Sequence, residues 1–230
     1  HNKFSIIEQK CVVLHQRVNG QRKLIKFKKK KKFVYLISPN KIIGNNFYNQ
    51  LKQIFKLKKV AFFQLRLKKE KKEKKLIIGK KIQKLCKKYK VNYIINDDPL
   101  LAKKVSADGC HLGQGDMNIN LARKILKKHI IGTTCHNSKK LIKKAIKNKA
   151  NYIALGAFFS TKTKQAKYKA SIKILNWSKK TTNIPIVAIG GIKLENYKKL
   201  LLNNANFLAI SGYIWNNKKY KPIEAMRKLK

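Results

Sequence analysis

Eight times along this chain a short apolar run of strand length gives way to a longer, Lys-rich amphipathic stretch. Apolar runs of roughly four to eight residues suit strands buried on both faces, and apolar residues at helical spacing suit helices with one solvated face. The spacing predicts strands over 34–38, 60–66, 92–96, 109–112, 129–133, 152–155, 184–189 and 207–210. It predicts helices over 46–55, 71–89, 99–105, 120–128, 138–148, 170–180, 194–203 and 222–228. An open doubly wound sheet usually has fewer strands and opens on a GxGxxG turn, which is missing after the first run. The expected fold is therefore α/β, a (β/α)8 TIM barrel over residues 34–230. Its lysines should sit on the outer helix faces, with Ile77, Ile78, Ile82 and Leu85 of the second helix turned inward. Residues 1–33 mix short apolar pieces with a basic run and read as a basic N-terminal extension: a tail, a remnant, or an arm over the bottom of the barrel.

Fifty-seven basic against nine acidic side chains leave a net charge of +48. Such a balance first suggests nucleic acid or another anionic surface. Only five of the cations are arginines (Arg17, Arg22, Arg66, Arg123 and Arg227), whereas base readout and bidentate phosphate recognition favour Arg over Lys. The enrichment in Lys, Asn and Ile is also what AT-rich codons produce, so charge alone names no partner. No apolar run approaches the roughly 18 residues of a membrane span. Cys11, Cys86, Cys110 and Cys135 show neither CxxC nor zinc spacing. With no signal sequence visible after His1, the expected setting is the reducing cytoplasm.

The acidic side is more informative. All four aspartates, Asp97, Asp98, Asp108 and Asp116, fall between residues 97 and 116. Clustered carboxylates are what a hard divalent cation such as Mg2+ binds, although caps and turns use the same residues. Asp108 reads better as a structural residue ahead of its strand. In a barrel the chemistry sits at the C-terminal strand ends. Those ends carry Gln64 and Arg66, which alternation points the same way, then Asn96, Asp97 and Asp98, then Asp116, then Thr133 and Thr134. Farther on come Ser160, Thr161, Lys162, Thr163 and Lys164, the pair Gly190 and Gly191, and Ser211 and Gly212. Glycines, hydroxyls and a lysine on the last three loops are the materials of a phosphate cradle. Arg66, Lys68, Asn96 and Thr134 lie opposite, beside the carboxylates, where a metal-bound pyrophosphate would fit. His111 and His136, close to strand ends, suit either proton transfer or a structural hydrogen bond.

These strings, Tyr-Leu-Ile-Ser (35–38), Gln-Leu-Arg-Leu-Lys (64–68), Ile-Asn-Asp-Asp (95–98) and Ala-Asp-Gly-Cys-His-Leu-Gly-Gln-Gly-Asp (107–116), recur in one family. With Ile-Gly-Thr-Thr-Cys-His (131–136), Thr-Lys-Thr-Lys (161–164), Ile-Gly-Gly-Ile (189–192) and Ala-Ile-Ser (209–211), the chain resembles the thiamine-phosphate synthases and their thiazole tautomerase relatives. The resemblance implies a transferase of thiamine biosynthesis that joins hydroxymethylpyrimidine diphosphate to a thiazole phosphate, giving thiamine phosphate and pyrophosphate, with Mg2+ as cofactor. By position it implies that Gln64, Leu65, Arg66, Leu67, Lys68, Asn96, Thr134 and Lys164 bind the pyrimidine diphosphate. Asp97 and Asp116 would hold the metal. Thr161, Lys162, Thr163, Gly191, Ile210 and Ser211 would bind the thiazole phosphate, and Arg66, Lys68 and Lys164 would neutralise the leaving pyrophosphate. Where the family usually has Ser, this chain has Thr134, which keeps the hydroxyl. A tautomerase would dispense with the metal pair and make His136 the proton carrier. A basic nucleic-acid-binding protein is the reading from another class, weakened by the lack of aromatic interleaving and Arg clusters. The expected partners are small-molecule substrates, with neither specific nucleic acid nor membrane; a homo-oligomer is compatible with the sequence.

Overall fold

The computed structural model describes residues 12–18, 21–27, 32–160 and 169–230, with the side chains of the first two segments left aside. The chain divides into two units, His1–Lys32 and Phe33–Lys230. In the first, β1 (Val12–Val18) and β2 (Gln21–Phe27) pair antiparallel, with Val18 opposite Gln21 and Val12 opposite Phe27. The sequence reading of this extension contained no strands.

The second unit alternates β3 (Val34–Ile37), α1 (Asn46–Lys56), β4 (Val60–Leu65), α2 (Lys72–Tyr89), β5 (Asn92–Asn96) and α3 (Pro99–Lys104). It continues with β6 (Gly109–Leu112), α4 (Ile119–Leu126), β7 (Ile130–His136), α5 (Lys139–Lys147), β8 (Tyr152–Gly156) and α6 (Ile172–Thr181). β9 (Ile186–Ile189), α7 (Tyr197–Leu202), β10 (Phe207–Ile210), α8 (Gly212–Trp215) and α9 (Pro222–Lys228) complete it. Strands β3 to β10 are all parallel and close into a ring, β10 returning to β3 through Leu208 opposite Val34, Ala209 opposite Tyr35 and Ile210 opposite Leu36. The expected (β/α)8 barrel is present.

Local chemistry starts several of the helices. Asp98 accepts the Leu101 N–H at 2.8 Å ahead of Pro99, and Asn118 and Ser138 accept the N–H groups of Leu121 and Leu141 at the starts of α4 and α5. Such caps satisfy donors that the first helical turn leaves unpaired. At the other end of the chain, the Lys59 ammonium donates to the carbonyls of Met226 at 3.3 Å and Arg227 at 3.0 Å, tying α9 to the base of β4.

Strand alternation divides the apolar side chains into two sets. Outward-facing residues such as Leu36, Phe63, Ile95, Ile131, Ile153 and Leu208 form the core between ring and helices. Inside the ring, Phe62 packs on Tyr35, Tyr152 and Phe207 with centroids 5.1–5.9 Å apart, forming an aromatic plug. On α2 the buried face is Ile78, Gly79, Ile82 and Cys86, with Leu85 partly buried against the core. Ile77 departs from expectation: it is 59% exposed, because it lies one step around the helix from the stripe set by Ile78 and Ile82.

Candidate functional site

The polar strand ends gather at the C-terminal rim of the ring. On β4, Gln64 is buried and its Nε2 donates to Asn96 Oδ1 on β5 at 3.3 Å, so the first two amides of the proposed site form one unit. Beyond β4, the Arg66 N–H donates to Ser38 Oγ at 2.9 Å, while the Ser38 N–H donates to the Gln64 carbonyl at 2.9 Å. These bonds extend the β3–β4 ladder past the strands and hold Arg66 half-buried. Leu65 and Leu67, the alternate residues, are buried in the core between ring and helices. Their side chains thus face away from the barrel axis, and they line a cavity of about 200 Å³ with Lys68, Asn96, Asp97 and Leu101.

Asp97 has a left-handed backbone, φ 66°, and its N–H donates to the His111 carbonyl on β6 at 2.8 Å. Asp is among the few residues that tolerate this region, and the turn swings the carboxylate across toward the loop after β6. There Asp116 accepts the Gly113 N–H at 2.7 Å within a tight turn. Partial burial first, and then the hydrogen bond to the neighbouring Asp97 carboxyl, raise the pKa of Asp116 above the ordinary carboxylate value; the Gly113 N–H and Lys68 offset part of this. Lys68 Nζ stands 3.3 Å from Asp97 Oδ2, with its side chain more than half exposed. The Asp97 and Asp116 carboxyls are thus neighbours, with the Lys68 ammonium beside Asp97. Among the described residues no group of three or more His, Cys, Asp or Glu side chains is placed to hold a metal. Asp98 serves as the cap of α3, and Asp108 accepts the Tyr93 N–H at 2.9 Å, the structural role expected of it.

Thr134 lies inside β7, which runs to His136 and so passes the predicted end of that strand. A register irregularity between Thr134 and His136, with φ 52° at His136, turns the chain there, and the Gln114 side chain donates to the Thr134 carbonyl. His111 Nε2 is 2.9 Å from Thr134 Oγ1 and its Nδ1 is 2.9 Å from Tyr152 Oη. Burial lowers the His111 pKa to about 4, with Arg66 adding to the effect against the opposing pull of Asp116, so the imidazole is neutral near pH 7. Tyr152 Oη is in turn 2.8 Å from Tyr35 Oη. His111 is thus a buried hydrogen-bonding partner, and Tyr35, Ser38 and Gln114, which lie in the quoted strings without an assigned role, shape the site together with Tyr152, which lies outside them. An interior strand tyrosine, whose hydroxyl has to find a partner, is the signal that could have found two of them.

On the other side of the ring, Gly190 (φ 102°) and Gly191 (φ 61°) follow β9. A Cβ at Gly191 would stand 2.3 Å from the Ser160 carbonyl oxygen, so only glycine lets the loop after β8 lie this close. Ser211 Oγ donates to the Ser38 carbonyl at 3.2 Å, joining the ends of β10 and β3, while Ile210 is buried. β9 and β10 are neighbours, which brings Gly191 and Ser211 to one sector of the rim. Thr161, Lys162, Thr163 and Lys164 lie outside the described residues. The structure therefore gathers Gln64, Arg66, Lys68, Asn96, Asp97, Asp116 and Thr134 over β4 to β7, and Gly191 and Ser211 over β9 and β10.

Of the described cysteines, Cys86, Cys110 and Cys135 are buried free thiols, and burial raises the pKa of each, that of Cys135 to about 12. Among the described residues no helix is long and apolar enough to cross a membrane.

The sequence profile described as thiamine monophosphate synthase matches residues 34–214. A thiamine-phosphate synthase of Pelagibacter ubique is 70% identical over 200 residues, covering 87% of this chain and 97% of the relative. The thiamine-phosphate synthase of Erythrobacter litoralis is 36% identical over 197 residues, covering 84% of this chain and 92% of its own. Among solved structures, thiamine phosphate pyrophosphorylase from Pyrococcus furiosus superposes with a TM-score of 0.75 at 24% identity, covering 87% of this chain and 94% of that one, a likeness of fold.

Proposed function

The chain belongs to the thiamine monophosphate synthase family, and from that premise we propose how its rim carries out the coupling that gives the family its name. The reaction joins hydroxymethylpyrimidine diphosphate to thiazole phosphate and yields thiamine phosphate and pyrophosphate. The synthase names of the relatives select this reaction over the tautomerase and nucleic-acid readings.

The reactive carbon is a pyrimidinylmethyl group, which can part with pyrophosphate to leave a resonance-stabilised cation. The carbon–oxygen bond breaks with its electron pair on the leaving oxygen, and the thiazole nitrogen lone pair then forms the new carbon–nitrogen bond. No protein nucleophile is needed. The protein's task is to neutralise the departing anion and hold the two partners in line. Arg66, Lys68 and Lys164 supply positive charge as the bond breaks. Gln64, Asn96 and Thr134, with the backbone of Leu65 and Leu67, orient the pyrimidine diphosphate. Gly191, Ile210 and Ser211, together with Thr161, Lys162 and Thr163, hold the thiazole phosphate on the adjoining sector.

Asp97 and Asp116 suit Mg2+. Their oxygens are hard ligands, partial burial and the neighbouring Asp97 carboxyl raise the pKa of Asp116, an environment a cation would suit, and Mg2+ is commonly held by one or two carboxylates plus water and phosphate. When bound, the ion supplies further neutralisation of the pyrophosphate charge. Lys68, now paired with Asp97, would be released toward the substrate oxygens. The proposal includes a cytoplasmic setting, supported by the buried free thiols.

The observation that carries this reading is the meeting of Arg66, Asn96, Asp97, Asp116 and Thr134, from four consecutive strands and their loops, at one sector of the rim. The test is a coupled assay for thiamine phosphate from the two purified substrates, with and without Mg2+, on the wild type and Asp97→Ala. Loss of product without the ion, and in the folded variant at physiological Mg2+, is expected. Unchanged turnover in Asp97→Ala would remove the metal pair from the mechanism.

A further inference from the structure

A file of polar groups runs from the aromatic plug to the rim: Tyr35 Oη, Tyr152 Oη, His111 Nδ1 and Nε2, then Thr134 Oγ1, with contacts of 2.8, 2.9 and 2.9 Å. Tyr35 and Tyr152 are each 2% exposed and His111 9%, whereas Thr134 is half-buried at the mouth of the site.

Proton counting gives this file a direction. Each phenol, the neutral imidazole and the threonine hydroxyl carry one hydrogen apiece. Among the described residues, Tyr152 is the hydrogen-bond partner of the Tyr35 hydroxyl, and the Tyr35 ring packs against those of Phe62 and Tyr152. If hydrogens pointed inward, from Thr134 to Nε2, from Nδ1 to Tyr152 and from Tyr152 to Tyr35, the Tyr35 hydrogen would be stranded in a buried apolar plug. A buried unmade donor is the costly case. If they point outward, Tyr35 donates to Tyr152, Tyr152 donates to Nδ1, and Nε2–H donates to Thr134 Oγ1. Every internal hydrogen is then used, and the one left over belongs to Thr134, at the end of the file that reaches the site.

We propose that Tyr35, Tyr152 and His111 are positioning residues: they fix His111 as its Nε2–H tautomer and so commit the Thr134 hydroxyl to donating outward, to an acceptor atom on the pyrimidine diphosphate. The inference rests on the reading that places Thr134 against that substrate. It adds a chemical class to that contact. Thr134 should meet a diphosphate oxygen or an unprotonated ring nitrogen and should disfavour a donor such as an amino group at the same point.

The test is nitrogen NMR of the full chain labelled at the histidine ring nitrogens, with the His111 signals identified by their loss in His111→Gln. The wild type should show the proton on Nε2, and Tyr35→Phe should keep it there, because Tyr152 can still donate. Tyr152→Phe should release His111 into a mixture of tautomers. A wild-type proton on Nδ1 overturns the proposal without any variant having to fold. In kinetics, Thr134→Val should lower kcat/KM about tenfold in the wild type but only about two- to threefold in the Tyr152→Phe background, where the hydroxyl is no longer committed. Equal losses in the two backgrounds count against the positioning role. Undiminished turnover of Thr134→Val with the proton on Nε2 would bring down the substrate-site reading, and with it the use made of the tautomer. A full Thr134→Val loss with the proton on Nδ1 would bring down only the positioning.

Discussion

Replacing Gly132 with Ala should destabilise the barrel by about 3–5 kcal/mol. Gly132 sits on β7 facing the ring interior, and a Cβ there would lie 1.9 Å from Tyr152 Cζ and 2.3 Å from both Cε atoms. Ordinary Cβ contacts begin near 3.4 Å, so the tyrosine ring has to retreat by roughly 1.5 Å. It has nowhere to go, since Tyr35, Phe62 and His111 hem it in with ring centroids 5.6–5.9 Å away. Overpacking of this kind costs about 1–3 kcal/mol. The displacement also strains two buried hydrogen bonds, to Tyr35 and His111, each worth about 1 kcal/mol net. Urea unfolding followed by far-ultraviolet circular dichroism measures the change as a lowered midpoint at unchanged slope. Gly115→Ala is the control: its Cβ would meet nothing within 4 Å, and stability should stay within about 0.5 kcal/mol of the wild type. A loss below about 1 kcal/mol at Gly132 would refute the claim that the Tyr152 ring is locked in place.

The neutral, buried His111 makes stability pH-dependent. The unfolded chain takes up a proton below pH 6.5 and the folded chain only near pH 4, so this residue's share of stability falls by about 3 kcal/mol as pH drops between those values. Denaturation at a series of pH values should show that slope in the wild type and a shallower one in His111→Gln. Gly191→Ala, which would force a side chain into a φ of 61° and onto the Ser160 carbonyl, should raise KM for the thiazole phosphate about tenfold or more. Steady-state kinetics with each substrate varied in turn checks it, and an effect confined to the pyrimidine substrate would reverse the assignment of the two sectors. Asp116→Asn removes one of two repelling carboxylates, so it should raise the Mg2+ concentration for half-maximal activity about tenfold while leaving the melting temperature unchanged or higher. Magnesium titrations and thermal melts measure the two effects.

The ring was legible because its strands are brief, mostly apolar runs separated by lysine-bearing helices. Asp98, Asn118 and Ser138, which cap α3, α4 and α5, mark where three of those helices begin. Other features were not. The turn α8 holds only four residues, Gly212–Trp215, too few for helical periodicity to register, and the Trp215 indole fixes it by donating to the Ile37 carbonyl at 2.7 Å. The antiparallel pairing of β1 with β2 had a sequence signal in Asn19 and Gly20, a pair favoured between antiparallel strands, but the basic run that follows reads as a solvated tail. Thr134 looked like a loop residue because Thr and His read as polar, although a register irregularity carries β7 on to His136. In the rim itself, the charged and amide residues announced themselves by type. The file through Tyr35, Tyr152 and His111 did not, because aromatic residues on strands read as packing and only three-dimensional distances show their polar ends in line.

The return of β10 to β3 also sets a timetable for synthesis. A ribosome delivers the first strand of the ring long before the last, so through most of translation the nascent sheet is an open ribbon whose leading edge has unpaired backbone groups. Until Leu208 comes to lie opposite Val34 and the Ser211 hydroxyl reaches the Ser38 carbonyl, the sector of the rim over β9 and β10 is not joined to β3. A transcript cut short before that strand would leave seven strands as an open sheet with two exposed edges.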